Sequence, residues 1–181
     1  MPRPKQTLID DAKAIADLVR LDIDKIKDNE MRILGAINKM VVAEVIMRYT
    51  LLDEILSELI VRYFFKVDLD TVHFAEAWQT QDSTIFTHHI LDEMFLLKKL
   101  SVAHAIKPVS GKVTGIIQNI NAVRNSLAHS FFPENRKEYK ATGKVLYRKK
   151  DIRTPEGLMV FQEDAETAFR HIEERIYGTV D

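Results

Sequence analysis

The residues with the clearest chemical potential are an arginine, an asparagine and a histidine in one apolar-patterned segment: Arg124, Asn125 and His129. A guanidinium is a permanently charged planar fork that matches phosphate oxygens, and an imidazole exchanges a proton near neutral pH. Held on one stiff helix, such groups suit the binding of a phosphodiester and the movement of a proton on it. The pattern therefore predicts a phosphate-directed site.

The segment that carries these residues is predicted to be a helix from Lys112 to Phe131, which stops before Pro133. Its apolar positions recur at helical spacing, at Val113, Ile116, Ile117, Ile120, Val123 and Leu127. The other face carries what we call the polar stripe: Gln118, Asn121, Asn125 and His129. Arg124 flanks this stripe, which contains no acidic residue. That composition favours a binding site or an interface over an ordinary solvated face.

Composition limits the classes of protein to be considered. The chain has 181 residues, 46% of them apolar and 29% charged, which indicates a globular protein with a proper core. Cysteine is absent, which excludes disulfides and thiolate chemistry. Neither a signal peptide nor a bilayer-length apolar run is present, so a soluble cytoplasmic protein is expected. The net charge of −1 means that any nucleic-acid binding depends on a local basic patch.

The spacing of apolar residues predicts an all-α fold, with residues 1–30 as an N-terminal helical extension and 31–181 as the main helical domain. The extension is a helix, capped by Thr7, that continues to Ile26 and breaks near Asp28 and Asn29. One very long helix, or two nearly collinear ones, then runs from about Asn29 to Phe65. Its predicted inner face is Leu34, Ile37, Val41, Val45, Arg48, Leu52, Ile55, Leu59 and Tyr63.

After a predicted loop over 68–82, a third helix is expected from a cap at Asp82 and Ser83 to Ile106, ended by Pro108. The residues that continue it at helical spacing are Leu91, Met94, Phe95, Lys98, Val102 and Ala105. A small β-hairpin is predicted at about 142–162. Its strands would be 145–147 and 158–161, joined by a turn at 154–157. A last helix would start at a cap on Asp164 and end at Gly178.

A basic segment follows the predicted helix from Lys112 to Phe131, which we call the motif helix. Residues 136–153 hold eight basic and two acidic residues, with Tyr139 and Tyr147 among them. Basic residues interleaved with aromatics can bind a phosphate backbone and stack on bases. The alternative is a solvated hairpin whose lysines prevent edge-to-edge aggregation. The residues expected to bind substrate are Asn121, Lys140, Lys144, Arg148 and Lys149.

The helix from Ile116 to Phe131 resembles the signature helix of the HEPN superfamily, whose hallmark is an arginine, four to six residues, and a histidine. A polar residue often follows that arginine directly. Arg124, Asn125 and His129 match all three positions. The resemblance covers about residues 33–177, and the motif helix is its specific part.

The resemblance implies an all-α core and a homodimer in which the two helices spanning Gln118–His129 meet near the two-fold axis. Active members of the family are ribonucleases that need no metal or cofactor, and many are toxins or anti-phage effectors. The implied catalytic residues are Arg124, Asn125 and His129, with RNA as substrate, 2′,3′-cyclic phosphate products, and a cognate antitoxin or regulator as a partner. Other members bind nucleic acids or proteins without catalysis, as some operon regulators do, and this is the alternative function.

Other candidate groups are weaker. His88 and His89 are adjacent, so on a helix they point about 100° apart and are poorly placed to chelate one ion. Asp53 and Glu54 are expected to be solvated. A carboxylate from their helix, which also carries Glu58, could orient His129 or pair with Arg124, and the sequence does not decide between these options.

Overall fold

The computed structural model of the chain describes residues 21–65, 80–130 and 144–178, together with Lys13, Ile15, Ala16, Leu18 and Val19. It confirms an all-α bundle, with one two-stranded hairpin before the last helix. The chain forms two compact units, Met1–Ala43 and Glu44–Asp181, whose boundary falls inside the longest helix. Among the described helices, none combines the length and apolar character needed to cross a membrane.

The first unit contains α1, Ile23–Ile26, and the start of α2, Glu30–Phe65. The predicted single helix up to Ile26 is wrong, because Leu21 and Asp22 are not helical and separate α1 from the preceding helical residues. The predicted break near Asp28 and Asn29 is confirmed. There the Asn29 side-chain oxygen accepts the Arg32 backbone N–H at 3.1 Å, which caps the first turn of α2.

The long helix α2 is one uninterrupted element, which is the first of the two predicted alternatives. The middle of its predicted inner face is buried, at Val41, Val45, Leu52, Ile55 and Leu59. The two ends of that face are not, because Leu34 and Tyr63 are exposed. Ile60 and Val61 join Leu91 in a core cluster of the second unit.

The predicted helix from Asp82 to Ile106 is wrong in its continuity. It consists of α3, Gln81–Phe86, a π-helical turn, Thr87–Leu91, and α4, Leu96–Ile106. The cap is Thr80, whose hydroxyl oxygen accepts the Ser83 N–H at 3.2 Å. The bond from Asp92 N–H to the Thr87 carbonyl spans five residues, and an extended Phe95 then restarts the chain.

This restart changes which side of α4 is buried. Leu96, Lys99, Leu100 and Ala103 face inward, while Phe95 and Lys98 are exposed. The end of α4 is as predicted, since Lys107 is extended ahead of Pro108. Ser110 begins the next helix by accepting the Val113 N–H on its hydroxyl at 3.4 Å.

The motif helix is α5, Gly111–Ser130. All six residues of its predicted apolar face are buried: Val113, Ile116, Ile117, Ile120, Val123 and Leu127. This face packs against α4 and against the last helix, α6, which spans Pro155–Tyr177. The periodicity in the sequence therefore predicted both the helix and its orientation in the bundle.

The hairpin is shorter than predicted. Strand β1, Leu146–Tyr147, pairs antiparallel with β2, Lys150–Asp151, around a two-residue turn at Arg148 and Lys149. These turn residues have φ values of 45° and 69°, as a tight primed hairpin turn requires. The predicted second strand at 158–161 is wrong, because those residues are helical.

The start of α6 explains that error. Thr154 accepts the Gly157 N–H on its hydroxyl at 3.2 Å, and Pro155 is the first helical residue. The predicted turn is therefore a helix cap. Asp164, predicted to begin the helix, lies inside it and is buried. Gly178 ends the helix as predicted, with φ at 82°.

Candidate functional site

The polar stripe lies on the side of α5 opposite the buried face. Gln118 is exposed, and Asn121 and Asn125 are half-buried. His129 belongs to the last turn of the same helix, and its side chain lies outside the described part of the structure. The rigid, buried apolar face thus fixes the position of the stripe, because the helix cannot rotate without exposing that face.

Arg124 is exposed and is oriented by two neutral groups. Its Nη1 donates a hydrogen bond to Oδ1 of Asn125 at 3.1 Å. Its guanidinium carbon lies 5.2 Å from the centre of the Tyr49 ring on α2, a cation–π geometry. Among the described side chains, no carboxylate forms an ion pair with Arg124. The guanidinium is held in place, and its positive charge stays available.

The helix geometry determines how the motif residues relate to one another. Positions five apart on an α-helix differ by about 140° in direction and about 7.5 Å in height, which is the relation of Arg124 to His129. Asn125 and His129 are four apart and differ by only about 40°. The Asn125 amide turns the Arg124 guanidinium toward the stripe from its flank.

Two carboxylates of α2, those of Asp53 and Glu58, are bound to residues other than Arg124. Asp53 pairs with Lys99 of α4, whose side chain is buried, so the expectation that Asp53 is simply solvated is wrong. Glu54 is exposed, as expected. Glu58 accepts a hydrogen bond from Arg62 at 2.7 Å. Neither Asp53 nor Glu58 pairs with Arg124.

A further acidic group on α2, Glu44, also serves the packing of α2. Its Oε1 accepts hydrogen bonds from Arg48 at 3.0 Å and from Gln162 of α6 at 2.8 Å. Partial burial pushes the pKa of this carboxyl up, but the two donors and the charge of Arg48 outweigh burial and leave the pKa below its ordinary value.

Of the basic residues expected to bind substrate, Lys140 lies outside the described residues. Lys144 and Lys149 are exposed. Arg148 donates from Nε to the buried Asp164 at 2.7 Å, so part of its role is structural. The same carboxylate accepts the hydroxyl of buried Tyr147 at 2.7 Å. Burial, followed by the hydrogen bond to Asp164, raises the pKa of the Tyr147 hydroxyl and keeps it a donor.

The described histidines do not build a metal site. His88 Nδ1 lies 3.1 Å from Asp92 Oδ2 in an exposed pair. In the part of the chain that the structure describes, no three or more histidine or acidic side chains gather closely enough to hold an ion. His104 accepts the Val109 N–H on Nδ1 at 3.1 Å, and His171 accepts the Ser110 N–H on Nε2 at 3.5 Å.

Sequence reasoning missed Tyr49. The periodicity of α2 placed its neighbour Arg48 on the inner face and gave Tyr49 no role. An aromatic residue next to a buried row is a weak signal, and only the packing of α5 against α2 shows that it faces Arg124.

Comparisons with known protein families, curated proteins and solved structures find no match to this chain. The resemblance of the motif helix to the HEPN superfamily therefore stays a prediction from Arg124, Asn125 and His129.

Proposed function

We propose that the protein is an HEPN-like, metal-independent endoribonuclease, and that it acts as a toxin or defence effector in the cytoplasm. Its site is formed by Arg124, Asn125 and His129 of α5, in a homodimer joined through this helix. The products are RNA fragments with 2′,3′-cyclic phosphate ends.

One observation supports this proposal above the others. Arg124 is exposed, is oriented by Tyr49 and Asn125, and is not neutralised by any described carboxylate. An arginine whose role is only structural is normally paired with an acidic group, as Arg62 and Arg148 are here. A pre-oriented guanidinium with an unneutralised charge suits the binding of a phosphate.

The chemistry assigns a role to each residue. Cleavage without a metal needs a base for the 2′-hydroxyl, an acid for the leaving 5′-oxygen and positive charge on the phosphorane oxygens. His129 supplies the proton transfer, since an imidazole titrates near pH ~6.5. Arg124 stabilises the developing negative charge, and Asn125 positions the guanidinium. Each chain has one motif histidine, so a dimer provides separate groups for the acid and the base.

The second candidate is a non-catalytic regulator that binds nucleic acid or protein with the same face. This function is favoured by the partners of Arg124, an amide and an aromatic ring, neither of which transfers protons at neutral pH. A face of this kind can bind an anion without catalysing a reaction. The protein would then hold RNA or an acidic partner on the polar stripe and leave it intact.

Cleavage of an end-labelled, mixed-sequence RNA in EDTA tests the first candidate. We expect cleavage by the wild-type protein, cyclic phosphate at the new 3′ ends, and a rate lower by about 10²–10⁴-fold for His129→Ala. His88→Ala, which changes an exposed histidine on another element, should cleave as the wild type does. Equal cleavage by His129→Ala and the wild type would remove the proposed mechanism. RNA that is bound and left intact by the wild type would favour the regulator.

A further inference from the structure

A second region of concentrated positive charge lies where α2, α4 and α6 come together. A cavity of about 200 Å³ opens there. Its apolar walls include Leu59, Ile106 and Ile176, and its basic lining residues are Arg62, Lys107 and Arg175. None of these residues belongs to the site proposed above, so the cavity requires its own explanation.

Arg62 is buried and incompletely bonded. Its Nε donates to Glu58 Oε1 at 2.7 Å, and its Nη2 donates to the Tyr177 hydroxyl at 3.3 Å. Its guanidinium also lies over the Tyr177 ring, at 5.0 Å from the ring centre. Nη1 of Arg62 is buried and has no hydrogen-bond partner among the described residues. A buried charged donor without an acceptor is costly, and such a group commonly marks the place of a missing ion or ligand.

The other two cations add to this excess. Lys107 Nζ donates to the Arg175 carbonyl oxygen at 2.7 Å, which holds its ammonium at the end of α6. The Arg175 guanidinium forms no ion pair among the described residues. Partial burial, and then the positive charge of Arg175, lowers the pKa of His171. Among the described residues, the carboxylate that bonds to these cations is Glu58. It is already bound by Arg62 and by the Tyr177 hydroxyl.

Tyr177 adds no negative charge that would offset these cations. Partial burial, and then the hydrogen bond to Glu58, raises the pKa of the Tyr177 hydroxyl, so it stays neutral and donates to Glu58. Among the described residues that line the cavity or bond to its cations, three are cationic and one, Glu58, is a carboxylate that is already bound. Among the described residues, the cluster therefore carries more positive than negative charge, and Nη1 of Arg62 lacks an acceptor.

We propose that this cavity binds a small carboxylate that carries a short apolar chain. The anionic head meets Arg62, Lys107 and Arg175, and the chain lies against Leu59, Ile106 and Ile176. The volume sets the size of the ligand, since a cavity of about 150 Å³ holds a benzene molecule. About 200 Å³ therefore suits a chain of about six carbons. A bare phosphate would leave the apolar walls uncovered.

Isothermal titration of the full-length protein with hexanoate tests the proposal, with hexanol and inorganic phosphate titrated at matched ionic strength. We expect hexanoate to bind at least tenfold more tightly than either of the other two probes. Equal binding of hexanol would mean an apolar cavity only, and equal binding of phosphate would mean a general anion site. Either result overturns the proposal, as does the absence of hexanoate binding.

Variants locate the site. Arg175→Gln should weaken hexanoate binding about tenfold, and Lys107→Gln is a second variant that removes a different charge. Arg170→Gln is the matched control, because it removes an exposed arginine from the same helix and should change affinity less than twofold. Circular dichroism verifies that each variant is folded. Unchanged affinity in both Arg175→Gln and Lys107→Gln would place the ligand elsewhere and overturn the assignment.

Discussion

Two arginine clusters of the second unit differ in how their charge is satisfied. On α5, exposed Arg124 has an amide and an aromatic ring as partners. At the junction of the hairpin with α6, Arg148 instead binds the buried carboxylate of Asp164, which also accepts the Tyr147 hydroxyl. At the junction the charges of Arg148 and Asp164 neutralise each other, whereas the α5 cluster presents a net positive charge to solvent.

This difference separates residues that hold the fold from residues available for a ligand. When one group of a buried hydrogen-bonded pair is removed, its partner is left without a hydrogen bond, and the free energy of unfolding decreases. Arg124 is exposed, and water can replace its contacts. A change there should affect binding and cleavage and leave stability nearly intact.

The largest stability effect is expected at the junction. Asp164→Ala strands the buried Tyr147 hydroxyl and removes the partner of Arg148, which should lower the free energy of unfolding by about 2–3 kcal/mol. Urea denaturation measures this change. Glu163→Ala, an exposed acidic neighbour on the same helix, should change stability by less than about 0.5 kcal/mol. Similar losses of stability in the two variants would mean that the contacts of Asp164 with Tyr147 and Arg148 do not stabilise the fold.

The same two regions can be compared by glycine-to-alanine substitutions, one at the junction and one on α5. A Cβ on Gly157 at the junction would lie 2.1 Å from the Asp151 carbonyl oxygen, so Gly157→Ala should cost about 2 kcal/mol of stability. A Cβ on Gly115 of α5 meets nothing within 4 Å, so Gly115→Ala should stabilise by about 0.5–1 kcal/mol. Thermal denaturation that moves both melting temperatures in the same direction would contradict this packing.

The smallest effect is expected where α6 contacts the start of α5. Burial, and then the charge of Arg175, lowers the pKa of His171 below its ordinary value of 6.5, and neutral His171 accepts the Ser110 N–H. Because the folded pKa is the lower one, the unfolded state binds more protons at acidic pH. The stability from neutral His171 is therefore complete above pH 6.5 and is lost as pH falls through the folded pKa.

An NMR titration of the His171 imidazole measures that pKa directly. Arg175→Gln should raise it toward 6.5, and Arg170→Gln should leave it unchanged. A His171 pKa at or above 6.5 in the wild-type protein would contradict both the assigned burial and the proximity of Arg175.

The sequence predicted best where one face of a helix carries a regular apolar row. α5 is the clearest case, since its six apolar positions are all buried and the polar stripe follows by exclusion. The error at 154–161 arose because Thr-Pro-Glu-Gly fits a turn and a helix start equally well, and four apolar residues fit a strand or a buried helix. In the structure, Thr154 caps the helix and Gly157 lies close to the Asp151 carbonyl, where a side chain would not fit.

The contacts of the candidate site were less predictable than its residues. Arg124, Asn125 and His129 were selected by type and spacing, but the approach of Tyr49 depends on how α5 packs against α2. Asp53 was expected in solvent and instead pairs with Lys99, because the π-turn and Phe95 reset the register of α4. A break in helix register hardly changes the spacing of apolar residues in the sequence. The ion pairs that result from such a break therefore cannot be predicted from the local sequence.

The central claim, that Arg124 binds phosphate and is not needed for the fold, is tested most directly in the His129→Ala background. The affinity for a short RNA is measured there with and without Arg124→Ala, together with the free energy of unfolding. We predict that Arg124→Ala weakens RNA binding about tenfold and changes stability by less than about 1 kcal/mol. Arg170→Ala, a matched exposed arginine on α6, should change neither quantity appreciably. Unchanged RNA affinity, or a loss of stability comparable to that of Asp164→Ala, would contradict the claim and make Arg124 a structural residue.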